Sequence, residues 1–225
     1  MRLLDLFCNA GGAGVGYHRA GFEVVGVDLH QQRRYPFAFI QHDALLLDPR
    51  FLASFDAIHA SPPCQGYTEM TAPGQVGALQ LIDPLRLMLQ ATGRPWIIEN
   101  VVGAAWAMRE PVTLCGSMFG LGAQGCQLQR HRLFEANFDL KAPASRHDAR
   151  PVIGVYGGHA RRRAASAGGR GTQDVWEGGH RAAMSEAMGI DWATCAEMSE
   201  AIPPAYTEFL GHQLRDAVLE RRMAA

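Results

Sequence analysis

Short apolar runs recur through the first hundred residues, and each gives way to polar or glycine-rich sequence. Residues 2–7 (RLLDLF) read as a strand, followed by a glycine-rich turn and a helical stretch ending near Gly21. A second run, 22–27, leads straight into Asp28, completing a β-loop-α-β unit that ends in an acid. Two further strands are predicted, 37–41 ending at His42 and Asp43, and 56–59 running into Ser61-Pro62-Pro63-Cys64-Gln65. Helical spacing over 83–92 places Leu85, Met88 and Leu89 on one face, with Gly93 and Pro95 as its stop. A fifth strand, 96–98, ends in Glu99-Asn100. Strands alternating with helices predict an α/β fold with a mostly parallel sheet flanked by helices. In such a sheet the ligand crevice lies at the carboxyl ends of the strands, where Asp28, Asp43, Cys64 and Glu99 all fall.

The pattern changes from residue 142 to 179. Arg146, Arg150, Arg161, Arg162, Arg163 and Arg170 are set among Gly, Ala and Ser, which predicts a loop with one short strand at 151–156. The chain closes on Ile202-Pro203-Pro204 and a helix whose apolar face is Tyr206, Phe209, Leu210, Leu214, Ala217 and Val218.

Composition narrows the class. The chain has 225 residues, 48% hydrophobic and 19% charged, which excludes a disordered chain and suits one domain with an appendage. No apolar run is long enough to cross a bilayer, and the N-terminus turns acidic too soon for a secretory leader. A cytoplasmic protein is expected. The net charge of -1 excludes a generally basic nucleic-acid coat but not a local basic patch. Among the basic residues only Lys141 is a lysine. The five cysteines are scattered without a CxxC pair, so neither a disulfide framework nor a structural zinc is expected. Cys8, Cys115, Cys126 and Cys195 read as packing residues.

The segment Asp5-Leu6-Phe7-Cys8-Asn9-Ala10-Gly11-Gly12 can bring backbone close to a nucleotide, and Asp28 can bind ribose hydroxyls. A glycine-rich turn alone is equally a tight turn. Two prolines before Cys64 fix the backbone and hold its thiol at a set point, which suits a nucleophile opposite Glu99. Asp43 alone is equally a helix cap.

Taken in order, DLFCNAGG, SPPCQ, IIENV, QRHR, EAMGIDW and EAIPPAYTEFLG resemble the motifs of the DNA cytosine-5 methyltransferase family over essentially the whole chain. The resemblance implies a Rossmann-like, S-adenosyl-L-methionine-dependent methyltransferase fold. It also implies a Cys64 nucleophile, a Glu99 proton donor, and Arg130 and Arg132 holding a flipped base. It assigns the cofactor to Phe7, Ala10, Gly11, Gly12, Asp28, Leu29, Asp43, Ala44, Pro63, Glu200 and Ala201. Gln65, Thr68, Arg161, Arg162, Arg163 and Arg170 would contact DNA, double-stranded by expectation. No metal, no membrane and a monomer are expected, from a bacterial or phage source.

The sequence departs from the family pattern where Asn9 replaces a glycine, Leu128 a glutamine, and Ser199-Glu200 a Gly-Asn pair. A carboxylate at Glu200 either pairs with the cofactor's ammonium or disfavours a cofactor carrying extra negative charge. The expected organisation is a catalytic core over 1–135, a reduced recognition insert over 136–180 and a C-terminal return over 181–225. An insert this small predicts a recognition site of about two bases. The alternatives are the same chemistry on RNA or a free cytosine nucleotide, or a non-catalytic DNA-binding module that holds the cofactor.

Overall fold

The computed structural model describes residues 1–67, 79–169 and 171–224. In chain order the first half comprises β1 (Arg2–Leu6), α1 (Gly12–Arg19), β2 (Glu23–Asp28), β3 (Ala38–Gln41), α2 (Pro49–Ala53), β4 (Ala57–Ala60), α3 (Ile82–Ala91) and β5 (Trp96–Asn100). There follow β6 (Val112–Leu114), β7 (Gly122–Ala123), β8 (Cys126–Leu128), β9 (Arg132–Ala136), β10 (Val152–Tyr156), β11 (His159–Arg163) and β12 (Thr172–Gln173). The chain then forms α4 (Gly179–Met188), α5 (Cys195–Glu200) and α6 (Pro204–Ala224).

A seven-stranded sheet has the order β3-β2-β1-β4-β5-β9-β6. The first five strands are parallel, and β9 pairs antiparallel with both β5 and β6. Its central strands are buried on both faces, which is why they read as unbroken apolar runs in the sequence. From β1 the chain moves outward to β2 and β3, then returns to place β4 on the other side. The strand order therefore reverses between β1 and β4, opening the crevice where α/β sheets bind ligands. The glycine turn leaves β1 on one side of this point, and the Pro-Pro-Cys turn leaves β4 on the other.

Helix α6 packs along α1. A side-chain carbon added at Gly16 would lie 2.1 Å from Thr207 Oγ1 and 2.2 Å from the Pro204 carbonyl. Gly16 therefore lets the two helix backbones touch. Thr207 Oγ1 also donates to the Ala13 carbonyl at 2.8 Å, and Tyr206, Leu210 and Leu214 are fully buried. Each such side chain contributes about 1.5–3 kcal/mol by leaving water. On the other side of the sheet, buried Arg86 of α3 forms hydrogen bonds to both carboxylate oxygens of Glu135 in β9, tying helix to strand.

The arginine-rich region differs from the predicted loop. It forms part of a second sheet, β12-β11-β10-β8-β7, in which β10 and β11 make an antiparallel hairpin. Ile153, Val155 and Ala160 pack with Ala183, Met184, Ala187 and Met188 of α4 in a separate core. This sheet also takes in β7 and β8, which precede residue 136. Arg161, Arg162 and Arg163 are thus strand residues, and alternation sends Arg162 to the opposite face from its neighbours. Thr68 and Arg170 lie outside the described residues. Among the described residues no helix is long and apolar enough to cross a membrane.

Candidate active site

Cys64 follows β4 through Ser61, Pro62 and Pro63, and the turn is closed by a Tyr67 N–H donating to the Cys64 carbonyl at 2.9 Å. The amide of buried Asn100, at the end of β5, donates to the Pro62 carbonyl at 3.0 Å. That bond fixes the Pro-Pro-Cys turn against the strand that carries Glu99. Glu99 falls within β5 rather than just past it, and is buried.

Arg132, the first residue of β9, places Nε 3.0 Å from Glu99 Oε1. The approach is off-line for a hydrogen bond, so that oxygen has charge compensation without a donor. Burial raises the Glu99 carboxyl above its ordinary range, opposed by the cations of Arg132 and Arg130 and by the Ser61 hydroxyl. Burial also raises the Cys64 thiol; Arg132 opposes this, while Glu99 and Glu200 add to it. Cys64, Glu99, Arg132 and Glu200 therefore share one electrostatic neighbourhood, although they come from four parts of the chain.

A buried polar chain backs Glu99. The Tyr17 hydroxyl meets His59 Nδ1 at 2.9 Å, and His59 Nε2 meets Ser61 Oγ at 2.8 Å. Burial pushes His59 down to about 3, so the ring is neutral at physiological pH. With Ser61 donating to ionised Glu99, His59 Nε2–H donates to Ser61, and Nδ1 accepts from Tyr17. Sequence reasoning missed His59, because a histidine inside an apolar strand carries no local signal of its partners.

Arg130 lies elsewhere than expected. Its guanidinium is buried and donates to the Val155 carbonyl at 2.9 Å and the Ser199 carbonyl at 2.7 Å. Tyr206 donates to the Arg130 carbonyl at 2.6 Å. Burial, with Arg132 alongside, pulls Arg130 down to about 9, still a cation at neutral pH. In this structure it ties β10 to the end of α5 instead of reaching into the cleft as a base-holding arm.

Around the glycine loop, Phe7, Asn9 and Gly11 have φ of 58°, 43° and 84°. Asp28 accepts from the Asn9 N–H at 3.1 Å and the His30 N–H at 3.0 Å, so its carboxylate is held in place. Leu29 beside it is 58% exposed, an apolar surface at the crevice. Asp43 Oδ1 caps the short helical turn at 44–46 by accepting from Leu45 N–H at 2.9 Å; Ala44 is buried beneath it. The close approaches at the glycines are to protein. A side-chain carbon at Gly12 would meet the Ile202 carbonyl at 2.3 Å, and one at Gly11 would meet Pro36 at 2.8 Å.

Two departures from the family pattern meet each other. Asn9 Nδ2 donates to Glu200 Oε2 at 2.9 Å, across 191 residues. Glu200 thus has a partner within the protein, Asn9. Glu200 is positioned by α5, whose N-terminus has a reciprocal Thr194–Glu197 capping box. Trp192 Nε1 donates to the Ala10 carbonyl at 2.7 Å, a second clamp on the loop; Ala201 is buried next to Glu200. Pro63 and Gln65 are exposed beside Cys64. Arg161 and Arg163 share one face of β11, with Arg163 reaching the Ala167 carbonyl and, at 3.4 Å, Gln129.

A reversal of strand order flanked by a glycine loop, an acid-ended strand and a cysteine turn defines a Rossmann-like methyltransferase fold. The fold is shared over nearly the whole chain with two solved structures. One is a chain from an E. coli prophage described as a DNA modification methyltransferase (TM-score 0.56, 15% identity, 97% of this chain and 99% of that one). The other is the Entamoeba histolytica methyltransferase EhMeth (TM-score 0.54, 9% identity, 99% and 98%). Residues 1–103, with the glycine loop, the cysteine turn and the glutamate strand, match the family model described as C-5 cytosine-specific DNA methylase. The chain is 29% identical over 121 residues to the type II methyltransferase M.AgeI of Thalassovita gelatinovora, covering 46% of this chain and 28% of that protein. It is 29% identical over 119 residues to M.FnuDI of Fusobacterium nucleatum, covering 46% and 33%. The matched stretch is thus a third or less of either relative. The match to that family model implies S-adenosyl-L-methionine as cofactor.

Proposed function

We propose that the chain is a DNA cytosine-5 methyltransferase in which Cys64 is the nucleophile. The observation that carries this is the convergence of the Cys64 thiol, the buried Glu99 carboxyl and the Arg132 cation at the strand-order reversal.

The residues present fit the cofactor. A carboxylate held by two N–H groups at Asp28 suits ribose hydroxyls, and Phe7 and Leu29 flank it with apolar surface suited to adenine. Asp43 would meet the adenine amino group, and backbone of Ala10, Gly11 and Gly12 would lie along the methionine end, with Ala44, Pro63 and Ala201 completing the walls. Glu200 adds negative charge near Cys64, which suits a cationic sulfonium. When bound, S-adenosyl-L-methionine supplies an electrophilic methyl group.

The chain's own groups do the rest. Addition of the Cys64 thiolate to C6 of cytosine forms a C–S bond and makes C5 nucleophilic. Charge built up on the ring is met at N3 by Glu99, whose raised pKa suits it to donate a proton. After C5 is methylated it loses its proton, the C–S bond breaks and Cys64 leaves as thiolate. Arg132 holds Glu99 and favours that thiolate. The target atoms lie inside a duplex stack, so the base must be flipped out. Gln65 and the face of β11 bearing Arg161 and Arg163 would meet the nucleic acid. The hairpin is short, so we infer a short recognition site and salt-sensitive binding.

The test is incubation with cofactor and duplex DNA carrying 5-fluorocytosine, in which C5 cannot lose a proton and the adduct persists. A covalent protein–DNA species in the parent chain, absent in Cys64→Ala, is expected. An adduct only on RNA or free nucleotide would overturn the substrate, and an adduct retained in Cys64→Ala would overturn the nucleophile. No adduct on any of them would favour a non-catalytic module.

A further inference from the structure

Cys115, His131 and His147 arrive from three separate stretches. Cys115 follows β6, His131 stands between Arg130 and Arg132 at the entry to β9, and His147 lies in the connection from β9 to β10. One ligand atom from each, the sulfur and a nitrogen of either ring, lies within 4.8 Å of the others. His147 Nε2 is 3.2 Å from Cys115 Sγ, and the two imidazoles stand 5.3 Å apart at 86°. In a tetrahedral zinc site, bond lengths of about 2.3 Å to sulfur and about 2.0–2.1 Å to nitrogen put those atoms roughly 3.5 Å apart. The observed spacing needs only small side-chain adjustments to reach this.

The surroundings agree. Cys115 is buried, His131 half-buried and His147 exposed, so the cluster opens toward solvent on one side. The Ser117 hydroxyl lies 3.4 Å from the sulfur, an outer hydrogen bond of the kind that orients a metal ligand. A cysteine–histidine hydrogen bond alone would not call for a second imidazole at the same point. Arg132 and Arg163 lie near His131, and a Cys115 thiolate would supply a negative charge to offset them. None of the three residues has a part in the chemistry proposed above.

We propose that Cys115, His131 and His147 bind one divalent transition ion of the zinc class, with a fourth position left to water. Binding releases the Cys115 thiol proton and forms one metal–sulfur and two metal–nitrogen bonds. Its effect is to fasten the connection between the large sheet and the β10–β11 hairpin against β6 and β9. The absence of a CxxC pair does not bear on it, because the ligands are brought together by strand pairing and not by local spacing.

Cobalt(II) titration of the untagged chain tests this. One ion per chain, with a thiolate-to-cobalt charge-transfer band and tetrahedral d–d absorption displaced by zinc, is expected. Cys115→Ser removes the charge-transfer band. His147→Ala, at an exposed position that leaves the fold intact by circular dichroism, weakens binding by at least about tenfold and abolishes the rise in melting temperature that zinc gives the parent chain. No thiolate band in the parent chain, or equal affinity in His147→Ala, would overturn the proposal.

Discussion

Replacing Arg132 with methionine isolates the electrostatic part of the site. Methionine keeps most of the side-chain volume but removes the cation 3.0 Å from buried Glu99. Removing one partner from a buried ion pair costs about 3–5 kcal/mol when the remaining charge cannot escape. Glu99 can escape by taking a proton, so the cost must depend on pH. Its ordinary value is 4.5, and burial already raises it in the parent chain. Without Arg132 it rises further. A carboxyl whose folded pKa lies above its unfolded value loses stability as pH climbs from the unfolded value to the folded one. Well below 4.5 both proteins hold Glu99 protonated, folded or unfolded, and the difference between them is small. At pH 8 the parent keeps the compensating cation and the variant does not, so the gap should approach the full 3–5 kcal/mol or about 1.4 kcal/mol for each further unit of pKa rise. Urea unfolding at pH 5 and pH 8 reads this directly. Arg132→Lys should recover part of the loss at pH 8. A gap of equal size at both pH values would show that packing, and not charge, makes Arg132 matter.

Other outcomes follow from neighbouring contacts. Ser61→Ala removes the hydroxyl that favours ionised Glu99, so the alkaline limb of the turnover–pH profile should move to higher pH; an unmoved limb would disconnect the His59–Ser61 chain from catalysis. Asp5 is buried and raised to about 8, with Tyr35 donating to Oδ2. Asp5→Asn keeps an acceptor for Tyr35 and cannot ionise, so its advantage in melting temperature should widen from pH 5 to about 8 and then level off. A pH-independent difference would contradict burial of the charge. Gly16→Ala should cost about 3 kcal/mol, the upper end for overpacking, because the added carbon meets backbone of α6; urea unfolding showing no loss would mean that the α1–α6 contact can slide.

What the sequence disclosed follows the range of the forces involved. The inner parallel strands β1, β2, β4 and β5 were legible because burial makes each an apolar run, and the ends of those runs located Asp28, Cys64 and Glu99. Strands β7 and β12, two residues each, and the three-residue β6 and β8 were not, since so few residues cannot establish a period. The Arg161–Arg163 run looks like a solvated loop because a hairpin strand bearing arginines on both faces lacks the apolar alternation that marks strands. Asn9 and Glu200 each read only as an isolated departure from the family pattern. Only the fold reveals that they answer one another across 191 residues. The Cys115, His131 and His147 cluster was invisible for the same reason.

The packing of α6 on α1 also separates two things that sequence comparison tends to merge. Residues 1–103 are the stretch that matches the methylase family model, yet that stretch is not what holds itself up. Cut there, Tyr17 on α1 and Ala20 just past its end would lose their cover, β5 would become a bare sheet edge without β9, and Arg86 would lose its partner Glu135. The glycine loop would lose the clamps from Trp192 and Glu200 as well. The inherited signature and the folding unit are different lengths of chain, and a fragment chosen by the first would not be expected to behave as the second.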